Sequence, residues 1–402
     1  MGRSSPSTVS PEAGGGRPAR SAPVEAQVHD SRRNIVIARS IGTGRVTALG
    51  TALVLLLAAC GGGGASPSPA GEATPATTAP AETPAESPAA PGGAGPNVVF
   101  IPKAVNNPYF DAAAEGAQKA AGELGGQFTQ IGSNNAIAAE QIPFIQDATT
   151  QGYDAIVVSA TGADEVAPAL RAAMEAGIKV VGYDSSPAEG AYDVFVNQTD
   201  FSLIGGAMAQ WACDLAPDCS GEIAILSATA TATNQNAWIA DMEQALQDPQ
   251  FANLTLVETV YGDDDPQKST TQAQGLLQKY PNLKVIIAPT TVGILAAAQV
   301  VKQAGVSDSV KVTGLGLPND MKEFVRDGTT PKFGLWSVPD LGYLAYYVAA
   351  KLVAGEITGA PGETFTVPGL NNGQPYTIGD KSVVILGPPF EFTPENIDQF
   401  NF

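Results

Sequence analysis

The sequence predicts an α/β protein made of two doubly wound parallel-sheet lobes joined by a multi-strand hinge. Short unbroken apolar runs recur from residue 97 onward, amphipathic helix-like stretches alternate with them, and the series breaks once, near 193–201. Apolar runs without polar alternation mark strands covered on both faces, the condition of parallel sheets. A break midway through 402 residues indicates two lobes rather than one long sheet.

In the first series, strands are expected at 98–102, 128–131, 155–159 and 179–183, with helices such as 110–124 and 164–176. The second series places strands at 222–226, 254–260, 284–288, 311–314 and 332–336, with helices including 236–246, 266–280 and 292–304. Lobe 1 is expected to comprise about 97–198 plus 337–365, and lobe 2 about 199–336 plus the C-terminal segment.

The first 96 residues have a different character. Residues 46–59 (VTALGTALVLLLAA) follow Arg39 and Arg45. A bilayer needs about 20 apolar residues, so this run suits a signal-peptide core better than a permanent span. Its end, Leu57-Ala58-Ala59-Cys60-Gly61, resembles the bacterial lipobox. That resemblance implies cleavage before Cys60 and a diacylglycerol on its thiol. The alternative is an ordinary secretory signal with an incidental cysteine. Residues 1–59 are then a signal peptide with an extended n-region, long enough to question the start codon. Residues 61–96 contain only Gly, Ala, Ser, Pro, Thr and Glu, too little apolar surface to offset ordering entropy, so 60–96 reads as a lipidated cysteine with a disordered tether. The expected location is the outer face of the cytoplasmic membrane, where a bridge between Cys213 and Cys219 in WACDLAPDCSG would pin a helix end.

Charge and composition remove several function classes. The net charge is −19, and past residue 60 the chain holds 14 basic against 37 acidic residues. Such a surface repels nucleic-acid phosphates and anionic lipid heads. The only histidine, His29, lies in the leader, so the folded part lacks Ser-His-Asp and Cys-His catalysis and His-ligated metals. No metal or cofactor is expected.

Ligands of doubly wound sheets bind beyond the carboxyl ends of the strands. There the sequence places Lys103, Asn107, Tyr109 and Phe110 after the first strand and Asp184 after the fourth. In the second series it places Asn234 and Gln235, then Pro289 and Thr291, and Trp336 at the lobe crossing. Amides, hydroxyls and a carboxylate pair with sugar hydroxyls, and aromatic faces cover the apolar side of a ring. Blander readings compete. Asn107 and Asn234 could cap helices, Asp184 could be a turn carboxylate, and Trp336 could be core. Asp263–Asp265 read as a solvated helix start. Lys103 closes a buried strand and needs an acceptor or an exit to water.

These segments resemble the ribose-type (type I) periplasmic binding proteins, the solute receptors of ABC importers, over essentially all of 97–402. Asn106-Asn107-Pro108-Tyr109-Phe110 is similar to the asparagine–proline–aromatic motif of the ribose branch, and Asp184 to its ring-hydroxyl-binding aspartate. That branch usually has Arg next, where Ser185 stands here. AILSATATATNQNAWI, TVYGDDDPQKS, IAPTTVGILAA and VTGLGLPNDM resemble rhamnose-receptor segments. The autoinducer-2 receptor pattern falls on Lys103, Asp184, Asn234-Gln235, Pro289 and Thr291, with Asn234 replacing an acid and Thr291 an alanine. The resemblance implies a lipid-anchored monomeric receptor that closes on a monosaccharide, rhamnose in preference to autoinducer-2, and presents it to ABC permease subunits. It implies no enzymatic activity, no nucleic-acid partner, and membrane contact through the anchor only. A glycosidase would need two acids facing each other across the sugar, whereas the strand ends carry one prominent acid. A sensor handing its closed form to a signalling partner would share the importer's surface.

Overall fold

The structure, a computed structural model, describes residues 95–402; His29, Cys60, the expected signal peptide and nearly all of the expected tether lie outside the described residues. The first lobe runs β1 (Asn97–Ile101), α1 (Pro108–Leu124), β2 (Gln127–Gln130), α2 (Ala138–Gln151), β3 (Ala155–Val158), α3 (Ala163–Glu175), β4 (Lys179–Tyr183) and β5 (Val194–Asn197). The second runs α4 (Ser202–Leu215), β6 (Gly221–Ser227), α5 (Thr233–Ala245), β7 (Leu254–Tyr261), α6 (Pro266–Lys279), β8 (Leu283–Ala288), α7 (Thr291–Gln303), β9 (Lys311–Gly314), α8 (Pro318–Arg326) and β10 (Phe333–Leu335). The chain closes with α9 (Val338–Val353), β11 (Thr364–Phe365), β12 (Tyr376–Thr377), β13 (Val383–Ile385) and β14 (Phe390–Phe392).

The first sheet is ordered β13-β5-β4-β3-β1-β2 and the second β7-β6-β8-β9, and every pairing within them is parallel. Strand order therefore reverses at β1/β3 in one lobe and at β6/β8 in the other, which sets a crevice beyond those strand ends. Three crossings join the lobes: from β5 to α4, from β10 to α9, and from β13 to β14, the last strand pairing antiparallel with β10. The doubly wound fold class holds.

Two expectations need correction. The interruption near 193–201 contains β5, a fifth strand of the first sheet; only the residues after Asn197 make the crossing. The C-terminal segment is divided rather than wholly in lobe 2, because β13 pairs with β5 while β14 pairs with β10. Strands of three residues carry no period of their own, so only tertiary pairing allots them to a sheet. Of the 16 residues of α9, 11 are buried.

Local signals explain the elements that were legible. Asn107 caps α1 by accepting from the Tyr109 N–H, Pro108 opens the helix, and Gly125 ends it at φ 66°. Helices α1 and α9 approach closely because Gly116 and Gly342 face the opposing backbones. A Cβ on Gly342 would sit 1.8 Å from the Ala113 carbonyl oxygen, and one on Gly116 1.8 Å from that of Pro339. Cys213 and Cys219 are joined by a disulfide across the turn that follows α4.

Candidate functional site

Strand β1 ends at Ile101, and its continuation carries Lys103 into the interior, where it is only 5% exposed. A buried ammonium needs a counter-charge and acceptors. Lys103 finds both: its Nζ lies 3.1 Å from Asp184 Oδ2 and donates to Asn234 Oδ1 at 3.2 Å. Asp184 follows β4 with φ 59°, a left-handed conformation that Asp tolerates better than most residues. Its carboxylate is held from both lobes. Oδ2 accepts from the Ser159 hydroxyl at 2.7 Å, and Oδ1 accepts from the Tyr109 hydroxyl at 3.2 Å and from Asn234 Nδ2 at 3.1 Å.

Aromatic rings back this polar cluster. Tyr109 meets Phe110 edge-on at 5.1 Å and Trp336 edge-on at 6.4 Å, and Trp336 Nε1 donates to the Tyr109 hydroxyl at 3.0 Å. Burial, reinforced by the charge of Asp184, pushes the Tyr109 phenol well above its ordinary value, so it remains a donor. Trp238 lies one helical turn beyond Asn234 and 5.8 Å from Trp336; its indole N–H is buried with no partner among the described residues.

All ten residues expected at the strand ends line one cavity between the lobes: Lys103, Asn107, Tyr109, Phe110, Asp184, Asn234, Gln235, Pro289, Thr291 and Trp336. Gln235 is anchored beside Asn234, its Oε1 accepting from the Ser227 hydroxyl at 2.7 Å and the Ala228 N–H at 2.8 Å.

The blander readings divide. Asn107 is both a helix cap and a wall residue. Asn234 is not a cap: Ala232 holds that position, and the Asn234 amide turns instead to Lys103 and Asp184. Trp336 is buried like a core residue yet lines the cavity. The expectation of a solvated acidic helix start fits Asp263, which is exposed and paired with Lys268, and Asp265, which caps α6 by accepting from the Lys268 N–H at 2.6 Å. It fails for Asp264, which is half-buried, accepts from the Thr290 hydroxyl and lines the cavity. Burial raises its carboxyl pKa, opposed by the Thr290 donor and the Lys103 charge and reinforced by Asp184 and Asp263.

Sequence reasoning passed over Trp238, Asp264, Thr290, Leu315 and Leu335. Each stands in or beside a strand-end segment, so the period was visible. Which residue of an acidic triplet turns inward depends on the left-handed backbone at Asp263 and Asp264. Among the described residues no cluster of His, Cys, Asp and Glu could hold a metal ion, and no helix is long and apolar enough to cross a membrane.

Comparison with known proteins adds four findings. The periplasmic binding protein domain matches residues 98–357. An ABC transporter solute binding protein from Clostridium phytofermentas, solved with bound L-rhamnose, is 40% identical with a TM-score of 0.73, covering 76% of this chain and 98% of that one. LsrB from Clostridium saccharobutylicum, solved in complex with AI-2, is 26% identical with a TM-score of 0.71, covering 76% and 99%. The ribose import binding protein RbsB of Salmonella typhimurium is 26% identical over 261 residues, 64% of this chain and 85% of that protein.

Proposed function

Because the chain belongs to the periplasmic binding protein family of ABC-importer solute receptors, we propose that it is an importer receptor for rhamnose or a related deoxy sugar. It is an extracytoplasmic binding protein and not an enzyme. The observation that carries the sugar assignment is the Asn234 amide, placed by lobe 2 between Lys103 and Asp184 of lobe 1.

Asn234 presents an acceptor to the ammonium and a donor to the carboxylate with one neutral group. A neutral sugar, whose hydroxyls both donate and accept, substitutes into such an array without a charge mismatch. Tyr109, Phe110, Trp238 and Trp336 supply apolar surface for the methyl group and C–H face of a deoxy sugar. A ligand that touches both lobes stabilises the closed arrangement in proportion to those contacts, and a permease then reads the closed surface. The resemblance at Leu57–Gly61 supports a diacylglycerol anchor at Cys60, with the binding domain monomeric on its tether.

Autoinducer-2 is the second reading, favoured by the likeness to LsrB and by Lys103, Asp184, Gln235 and Pro289. Asn234 and Thr291 stand against it. A thermal-shift screen over rhamnose, fucose, ribose, xylose, galactose and autoinducer-2 decides, because a ligand that binds only the folded state raises its melting temperature. Rhamnose is expected to give the largest rise. No rise with rhamnose, or a larger one with autoinducer-2, overturns the assignment.

A further inference from the structure

Beside the inner cavity lies a larger chamber of about 720 Å³. Asn107 and Asp264 line both spaces and so stand at the boundary between them. The chamber walls come from both lobes: Asn106, Asn134 and Asn135 on one side, Thr229, Thr231 and Lys268 on the other. Several of these groups are already positioned. The Asn106 amide donates to Asn134 Oδ1 at 2.5 Å, and Asn135 Nδ2 donates to Glu140 at 3.1 Å. Ile137, 48% exposed, adds an apolar surface to the same wall.

We propose that this chamber is a second sugar subsite, and that the protein takes its deoxy sugar as the terminal unit of a glycoside or short oligosaccharide. The inference rests on the sugar assignment above and extends the ligand class. One ring held by the inner-cavity residues would leave the amide- and hydroxyl-lined chamber to solvent. A second ring, linked through the oxygen that passes between Asn107 and Asp264, would use both. A glycosidic oxygen has no proton and requires a donor. Asn107 supplies one: its Oδ1 is committed to capping α1, which leaves its NH₂ to donate. Amides and hydroxyls around the chamber match the hydroxyls of a second ring in the same way.

Calorimetry of the purified protein with L-rhamnose, methyl α-L-rhamnoside and an α-linked rhamnosyl-rhamnose tests the subsite. The disaccharide is expected to bind at least as tightly as rhamnose. Ala230→Trp, at an exposed wall position outside the inner cavity, should weaken the disaccharide by at least about tenfold while rhamnose changes by less than about twofold. Rhamnose binding without disaccharide binding overturns the subsite and leaves the sugar assignment standing. Disaccharide affinity that Ala230→Trp does not lower selectively also overturns it. If none of the three sugars binds, the sugar assignment falls and the subsite falls with it.

Discussion

Asn234 of the second lobe donates to the Asp184 carboxylate of the first at 3.1 Å, and the same amide accepts from Lys103 at 3.2 Å. One neutral side chain thus joins two opposite charges across the cleft. The Ser185 and Thr233 hydroxyls, 2.9 Å apart, make a second contact between the same two turns. Both contacts require the lobes to be together, so the site and the interlobe closure are built from the same residues.

Asn234→Asp would set a second carboxylate against Asp184. Like charges at that separation raise one of the two carboxyl pKa values. Rhamnose affinity should therefore fall at pH 7.5 and recover partly on acidification, as the added carboxyl takes up a proton. Combined with Thr291→Ala, the change should favour autoinducer-2 over rhamnose. Calorimetry at pH 5.5 and 7.5 checks both. Rhamnose affinity identical to the parent protein at both values would remove Asn234 from the specificity argument.

Asp184→Ala removes an acceptor from the cavity and leaves Lys103 buried without its counter-charge. Lost hydrogen bonds to a charged group cost about 1.5–3 kcal/mol, at least about tenfold in sugar affinity. With both partners buried, breaking the pair should also lower the melting temperature, by about 3–5 kcal/mol of stability. Differential scanning calorimetry beside titration separates the two losses, and an unchanged melting temperature would show Lys103 finding water instead.

Asp264 sets a pH dependence. Its folded pKa is raised above the ordinary 3.8. Between that value and the raised one the folded state holds more protons than the unfolded chain, so stability falls as pH rises through the window. Asp264→Asn removes this term while keeping an acceptor for Thr290. The variant should match the parent below the window and exceed it in melting temperature above it. A gain that persists unchanged at acid pH would point to a cause other than this carboxyl.

Gly342→Ala should be destabilising despite the helix preference for alanine. The new methyl meets the Ala113 carbonyl, so α1 and α9 must separate. Overpacking of this kind costs about 1–3 kcal/mol. Chemical denaturation should show the loss, and sugar affinity should change little, since neither residue lines the cavity. A midpoint unchanged from the parent would contradict the close helix contact.

Mass spectrometry of the mature protein tests the anchor. The N-terminus should be a lipid-modified Cys60, and the protein should partition into detergent. Cys60→Ser should abolish acylation. Intact residues before Cys60 on secreted mature protein would refute the lipobox reading.

The sequence alone determined the two parallel sheets and most of the cavity wall. Unbroken runs such as VVFI before Lys103 and VVGY before Asp184 are buried strands whose ends point to one crevice, and that relation is local and periodic. It could not determine partners. Whether Asn234 caps a helix or bridges Lys103 to Asp184, and which of Asp263, Asp264 and Asp265 faces inward, depends on groups far away in the chain. The division of the C-terminal segment between β5 and β10 is of the same kind, because three-residue strands have no period to read. Local pattern fixes which residues stand at strand ends, whereas charge compensation and close packing between distant segments decide what each of them touches.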